Sequence, residues 1–218
     1  MTSAFSRSEN RPADEDEGRL LLASASPRRR ELLALLGVRF TVVRSRFDEN
    51  QLAHLTDPVE YVRRAAEEKA AEVARRRAGL VLGADTDVVA PDGTILGKPR
   101  DDADAARMLG ALSGKTHRVY SGVALLRSDG SEILRRDVRV VETAVTFGAL
   151  SEAAIRAYVA TGEPRDKAGA YAVQGGALAF LTRIEGDLSS VIGLPLWTVA
   201  EMLAAAGMPL WRDTSDGR

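Results

Sequence analysis

Strand-like and helix-like patterns of apolar residues alternate along most of the chain. Leu20–Ala23 is a short apolar run suited to a buried strand. It breaks at Ser24-Ala25-Ser26-Pro27, and Arg29–Leu36 then carries apolar residues at helical spacing until Gly37 supplies a stop. Phe40–Val43 reads as a second strand. Asp57-Pro58-Val59-Glu60 is a helix start, with Asp as the cap, Pro in the first turn and Glu three residues after the cap. That helix is predicted to run to about Arg77. Leu80–Ala90 is a strand, Pro91-Asp92-Gly93-Thr94 a turn, and Asp102–Leu112 an amphipathic helix. Thr116–Arg127 and Glu132–Phe147 pair as a hairpin across Ser128-Asp129-Gly130. Ser151–Ala160 is a helix, Leu178–Ile184 a strand and Leu196–Ala206 a closing helix. The alternation predicts an α/β fold, and the hairpin makes its sheet mixed rather than purely parallel.

Residues 1–19 carry five acidic and three basic side chains around one large apolar residue, Phe5. Such a segment cannot bury enough surface to offset its ordering entropy, so it reads as a disordered leader, followed by one domain over residues 20–212. The closing residues 213–218 read as frayed. The 30 Lys and Arg against 31 Asp and Glu leave a net charge of −1, which argues against a partner that is a nucleic-acid polymer. With no cysteine there is no disulfide framework, no thiolate zinc site and no thiol nucleophile. No apolar stretch approaches the roughly 20 residues a membrane span needs. What remains is a soluble, cytoplasmic globular protein that touches no membrane.

Three groups of residues look like chemistry. At Ser24-Ala25-Ser26-Pro27-Arg28-Arg29-Arg30, positive side chains in a first helical turn oppose the helix macrodipole, so they point to a bound anion. Free N–H groups and the hydroxyls of Ser24 and Ser26 would help to hold it. A solvent-facing role for Arg29 or Arg30 stays open beside that reading. In Gly83-Ala84-Asp85-Thr86-Asp87, carboxylates interrupt an apolar strand, which is costly unless they are paired, hydrogen-bonded or on a metal. Alternation puts Asp85 and Asp87 on one face and Thr86 on the other. Metal binding, general-base work and capping of a strand end all fit. Lys69, Lys98 and Lys167 form the third group. Lysines are usually solvated, but Lys98 and Lys167 sit among Gly and Pro in loops of the kind that build sites. Gly114-Lys115-Thr116 is not a phosphate-binding P-loop, because Leu109 stands where the first glycine is needed and the order of elements is reversed. His54 and His117 make no zinc pattern, and Trp197 and Trp211 read as packing near the last helix.

Taken in order, Leu22-Ala23-Ser24-Ala25-Ser26-Pro27-Arg28-Arg29, Glu68-Lys69-Ala70, Leu82-Gly83-Ala84-Asp85-Thr86, Gly97-Lys98-Pro99, Leu112-Ser113-Gly114-Lys115-Thr116-His117, Asp166-Lys167-Ala168-Gly169-Ala170-Tyr171 and Val191-Ile192-Gly193-Leu194-Pro195 resemble the Maf family of nucleoside triphosphate pyrophosphatases. The resemblance runs from about Leu20 to Leu203. It implies a fold like that of inosine triphosphate pyrophosphatases, a long mixed sheet flanked by helices with two lobes around a cleft. It further implies hydrolysis of a nucleoside triphosphate to the monophosphate and pyrophosphate, dependent on Mg²⁺ or Mn²⁺.

Matched residue by residue, Asp85 takes the place of the proton acceptor, and Glu49 that of a second catalytic or metal-binding acid. Arg28, Thr86 and Gln174 fall where the family sets substrate choice. Ser24, Ser26, Arg29, Lys69, Lys98 and Lys167 fall near the phosphates. Gly162–Gly175 resembles the branch acting on dTTP and UTP, with Ala172, Ser190 and Asp87 departing from its usual residues. A homodimer is a further implication of the resemblance. The rival reading is a nucleotide-binding regulator of cell division that does no chemistry.

Overall fold

The computed structural model describes residues 20–211, so the expected leader over 1–19 and the frayed end lie outside the described residues. The elements in chain order are β1 (Leu20–Leu22), α1 (Pro27–Ala34), β2 (Phe40–Val42), α2 (Pro58–Ala74), β3 (Ala78–Val89) and β4 (Ile95–Leu96). They continue as α3 (Asp102–Leu112), β5 (Thr116–Asp129), β6 (Ile133–Phe147), α4 (Glu152–Ala160), β7 (Leu181–Glu185), α5 (Leu188–Ile192) and α6 (Leu196–Ala205). Short 3₁₀ turns at Glu49–Leu52, Glu163–Asp166, Ala168–Ala170 and Gly176–Phe180 fill the connections. The strands form one seven-stranded mixed sheet in the order β2-β1-β3-β5-β6-β7, with β4 pairing on β3. β1 is parallel to β2 and β3, while β3, β5, β6 and β7 are antiparallel.

The helices start where their caps permit. Asp57 Oδ1 accepts from Val59 N at 3.1 Å with Pro58 in the first turn, and Asp101 Oδ1 accepts from Asp104 N at 2.7 Å. Each such cap contributes about 1 kcal/mol. α2 ends at Ala74, short of the predicted Arg77, because the chain must reverse before β3 begins at Ala78. The predicted strand Leu178–Ile184 is also corrected. Its first residues lie in the 3₁₀ turn Gly176–Phe180, with Leu178 exposed, and pairing with β6 begins only at Leu181.

Two bodies of core flank a band across the middle of β3 and β5. On one side, Leu20, Leu22, Leu82, Ala84 and Val123 pack under α1 and α6, while Leu21, Val81, Ala124 and Leu126 pack under α2. On the other, Val88, Val119, Val145 and Phe147 pack with Met108, Leu109, Tyr158 and Tyr171. Each buried leucine contributes roughly 1.5–3 kcal/mol. α2 reaches the sheet more closely than ordinary side chains allow: a Cβ on Gly83 would stand 2.3 Å from the Ala66 carbonyl oxygen, and one on Gly122 would stand 2.1 Å from that of Val62. The alanine-rich face of α2 and these two glycines are therefore one device, which lowers the helix onto the centre of the sheet.

Candidate active site

Between the two cores, β3 carries Asp85, Thr86 and Asp87, and β5 faces them with Gly122, Ser121 and Tyr120. Alternation holds as expected. Asp85 and Asp87 turn toward α2, and Thr86 turns to the opposite face, where its hydroxyl lies 2.8 Å from that of Ser121. Asp85 is only 6% exposed, and Lys69 from α2 donates to its Oδ1 at 2.6 Å. The same ammonium reaches Glu49 Oε1 at 2.9 Å. Glu49 begins the 3₁₀ turn after β2, which Asp48 caps by accepting from Asn50 N at 3.0 Å. Lys69 is thus a largely buried lysine holding two carboxylates from distant parts of the chain, and not a solvated one.

Asp87 is buried as well, and its Oδ2 has no hydrogen-bond partner. Burial pushes its carboxyl up to about 7, with Asp85 and Glu49 adding to the rise and Lys69 and Arg29 opposing it. Tyr61, two turns before Lys69 on α2, faces the same acids. Burial and then Asp85, Asp87 and Glu49 push its hydroxyl up to about 12. Nothing in the sequence singled out Tyr61, because a partly buried tyrosine on an amphipathic helix is ordinary packing.

The loop after β1 enters from the other face. Ser24 Oγ accepts from Ser26 N at 3.1 Å, and Ser26, the cap of α1, accepts from Arg29 N at 3.4 Å. Both hydroxyl oxygens thus organise the loop, and each hydroxyl proton remains able to donate. Arg29 Nε donates to the Gly193 carbonyl at 2.9 Å, and the Thr86 hydroxyl approaches the same oxygen at 3.4 Å. Desolvation lowers the Arg29 guanidinium from its usual range, while Asp85, Glu49 and Asp87 oppose that shift. Arg28 is half-buried beside it.

Lys98, Lys167 and Gln174 make no direct bond to this group among the described residues. Their loops nonetheless join end to end: Gly169 N donates to the Gly97 carbonyl at 3.1 Å, and Gly169 packs on Val88, next to Asp87. Lys167 pairs with Asp166, while Lys98 and Gln174 are exposed.

Among the described residues no three Asp, Glu or His side chains form a ready-made metal cage. What exists is a pair, Asp85 and Glu49, converging on one cationic nitrogen, with the orphaned oxygen of Asp87 alongside. That donor set fits a small divalent cation, which is commonly bound through one or two carboxylates and completed by substrate phosphates and water.

Fold and site together define an α/β protein with a sheet-centred acid group, a largely buried ammonium paired with it and an arginine-rich helix start. The chain belongs to the family described as Maf-like protein, which matches residues 19–206. It is 52% identical over 195 residues to the dTTP/UTP pyrophosphatase of Moorella thermoacetica, covering 88% of this chain and 97% of that one. It is 52% identical over 200 residues to the protein of the same name from an Anaeromyxobacter species, covering 91% and 95%, and 50% identical to that of Myxococcus xanthus, covering 90% and 97%. A solved nucleoside-triphosphatase (dITP/XTP pyrophosphatase) from Mycobacterium abscessus is 17% identical, with a TM-score of 0.41 over 61% of this chain and 75% of that one. Among the described residues no helix is long and apolar enough to cross a membrane.

Proposed function

We propose that the chain is a cytoplasmic nucleoside triphosphate pyrophosphatase that converts dTTP and UTP to the monophosphate and pyrophosphate. The observation that carries this reading is the joint hold of Lys69 on Asp85 and Glu49 in the polar band between the cores. A protein that merely bound a polyanion would gain nothing from carboxylates facing it, least of all from one buried as Asp85 is. The names of relatives about half identical over nearly their whole length support the substrate.

Asp85 accepts a proton from water as that oxygen attacks the α-phosphorus. The bond from that phosphorus to the bridging oxygen breaks, and pyrophosphate leaves with the electron pair. Lys69 orients the Asp85 carboxylate by donating to its Oδ1 at 2.6 Å. Arg28 and Arg29, with the N–H groups and hydroxyls of Ser24 and Ser26, meet the phosphates at the start of α1, with Lys98 and Lys167 as further cations for them. Asp85 and Glu49 would hold Mg²⁺ or Mn²⁺, which when bound supplies polarisation of the α-phosphate and neutralises charge. Arg28, Thr86 and Gln174 set the choice of base.

Incubation with a panel of nucleoside triphosphates and Mg²⁺, followed by product identification, tests the reading. Monophosphate and pyrophosphate from dTTP and UTP are expected. Orthophosphate, or no product from any nucleotide, overturns it.

A further inference from the structure

Gln174 sits on a turn whose two ends are tied to the same pair of side chains. Two residues before it, the Ala172 N–H donates to the Tyr158 hydroxyl at 3.2 Å. That hydroxyl donates to Glu163 Oε1 at 2.7 Å. Two residues after it, the Gly176 N–H donates to Glu163 Oε2 at 3.0 Å. A closed ring of hydrogen bonds therefore brackets Gln174, which is itself exposed and takes no part in the ring.

Gly175 lets the backbone lie on the carboxylate, since a Cβ there would stand 2.2 Å from Glu163 Oε1. The Glu163 main-chain carbonyl also accepts from Lys167 Nζ at 3.5 Å, so the residues assigned to phosphate and base hang from one anchor. On the other side, the Tyr158 ring packs edge-on against Phe180, with centroids 5.1 Å apart, which ties the anchor to the core around α4.

We infer that Tyr158 and Glu163 are positioning residues for base recognition, which hold the 172–176 turn so that the Gln174 amide meets a pyrimidine at a fixed reach. The inference rests on the proposed role of Gln174 in choosing the base. Amide rotation lets one glutamine pair with more than one base edge, because it offers a donor and an acceptor. What a held turn fixes is distance. A glutamine on a loose turn retreats and admits the larger purine; on a bracketed turn it excludes it. Neither Tyr158 nor Glu163 need touch the nucleotide for this to work.

The test compares kcat/KM for UTP and GTP in the full-length protein, Tyr158→Phe, Glu163→Ala, Glu163→Gln, Gln174→Ala and the double variant Glu163→Ala/Gln174→Ala. Tyr158→Phe keeps the ring against Phe180 and removes only the hydroxyl, so it carries the test if Glu163→Ala fails to fold. The expected result is a UTP-over-GTP preference reduced about tenfold in Tyr158→Phe and Glu163→Ala, through a higher KM for UTP with kcat changed less than about threefold. Glu163→Gln, which keeps an acceptor for Gly176, retains more of the preference than Glu163→Ala. The double variant matches Gln174→Ala alone, because the anchor acts through that residue. A preference that survives intact in Tyr158→Phe and Glu163→Ala, while Gln174→Ala relaxes it, overturns this inference and leaves the reading of Gln174 standing. A preference unchanged by Gln174→Ala overturns that reading itself, and the inference with it.

Discussion

His117 offers a prediction whose size follows from its surroundings. It is 1% exposed, with Nε2 2.8 Å from the Tyr171 hydroxyl and its ring edge-on to Phe147, centroids 5.0 Å apart. Its Nδ1 is buried without a partner. Burial lowers its pKa from 6.5 to about 4. The unfolded chain therefore takes up a proton between about pH 6.5 and pH 4 that the folded chain refuses, and stability falls as the pH falls through that window. The drop from 6.5 to about 4 is worth about 3 kcal/mol when fully expressed, and about 2 kcal/mol between pH 7 and about pH 4.5. His117→Phe removes the titration. At pH 7 it costs about 1–2 kcal/mol, since the Tyr171 hydroxyl loses its partner. That cost is offset in acid, so the gap between wild type and variant shrinks by about 2 kcal/mol on going from pH 7 to about pH 4.5. Urea unfolding of both proteins at the two pH values measures it. A gap of constant size would refute the argument that His117 is held neutral by burial.

Asp85→Asn should fold normally, because Lys69 keeps Glu49 as a partner at 2.9 Å, but turnover of UTP should drop at least about 100-fold in a steady-state assay. Near-normal turnover removes Asp85 from the role of base. Lys69→Met leaves Glu49 and Asp85 without their shared ammonium, so its melting temperature in EDTA should lie below that of wild type. Added Mg²⁺ should then raise the melting temperature of the variant more than that of wild type, since a cation can stand between the same carboxylates; equal shifts argue against a cation there. Gly122→Ala forces a methyl to within 2.1 Å of the Val62 carbonyl oxygen and should lower stability by roughly 1–3 kcal/mol. An unchanged urea midpoint would mean that α2 does not depend on that close approach.

Much of the fold is written in local patterns. The Asp57-Pro58-Glu60 start, the long apolar strand predicted over residues 80–90 and the hairpin each specify an element without help from distant residues. The strand spans Ala78–Val89, and the hairpin is found with its turn at residues 130–132 rather than at Ser128–Gly130, because β5 runs on to Asp129. Residues 176–180 misled because an apolar run after two glycines carries no period, and whether it pairs is decided by β6. β4 and α5, two and five residues long, are too short to show a period at all. In the site, Asp85 and Asp87 stood out because carboxylates in an apolar strand demand a partner. Lys69, a candidate alongside Lys98 and Lys167, has no local setting that lifts it apart from the resemblance, since a lysine that reaches under a helix onto a strand has the same sequence signature as one in water. Tyr61 and the bracket of Tyr158 and Glu163 were invisible for a related reason. Their meaning lies in which backbone or charge they face, and that is set by how α2 and α4 dock.

The position of the acid group also explains its cost. β3 leaves one core at Ala84 and enters the other at Val88, and of the three residues between, Asp85 and Asp87 oppose folding by burying charge. Asp87, with an unpaired oxygen beside two more carboxylates, is the extreme case. Such a band persists only because strands β3 and β5, of 12 and 14 residues, are anchored in apolar packing at both ends and cannot relax in the middle. The two cores act as clamps, and the proposed chemistry occupies the span between them. A ligand that brings cationic or hydrogen-bonding partners to that span relieves a local strain in charge without moving either core. Substrate and cation binding should therefore stiffen the band formed by Asp85–Asp87 and Tyr120–Gly122, leaving the packing of the flanking leucines as it was.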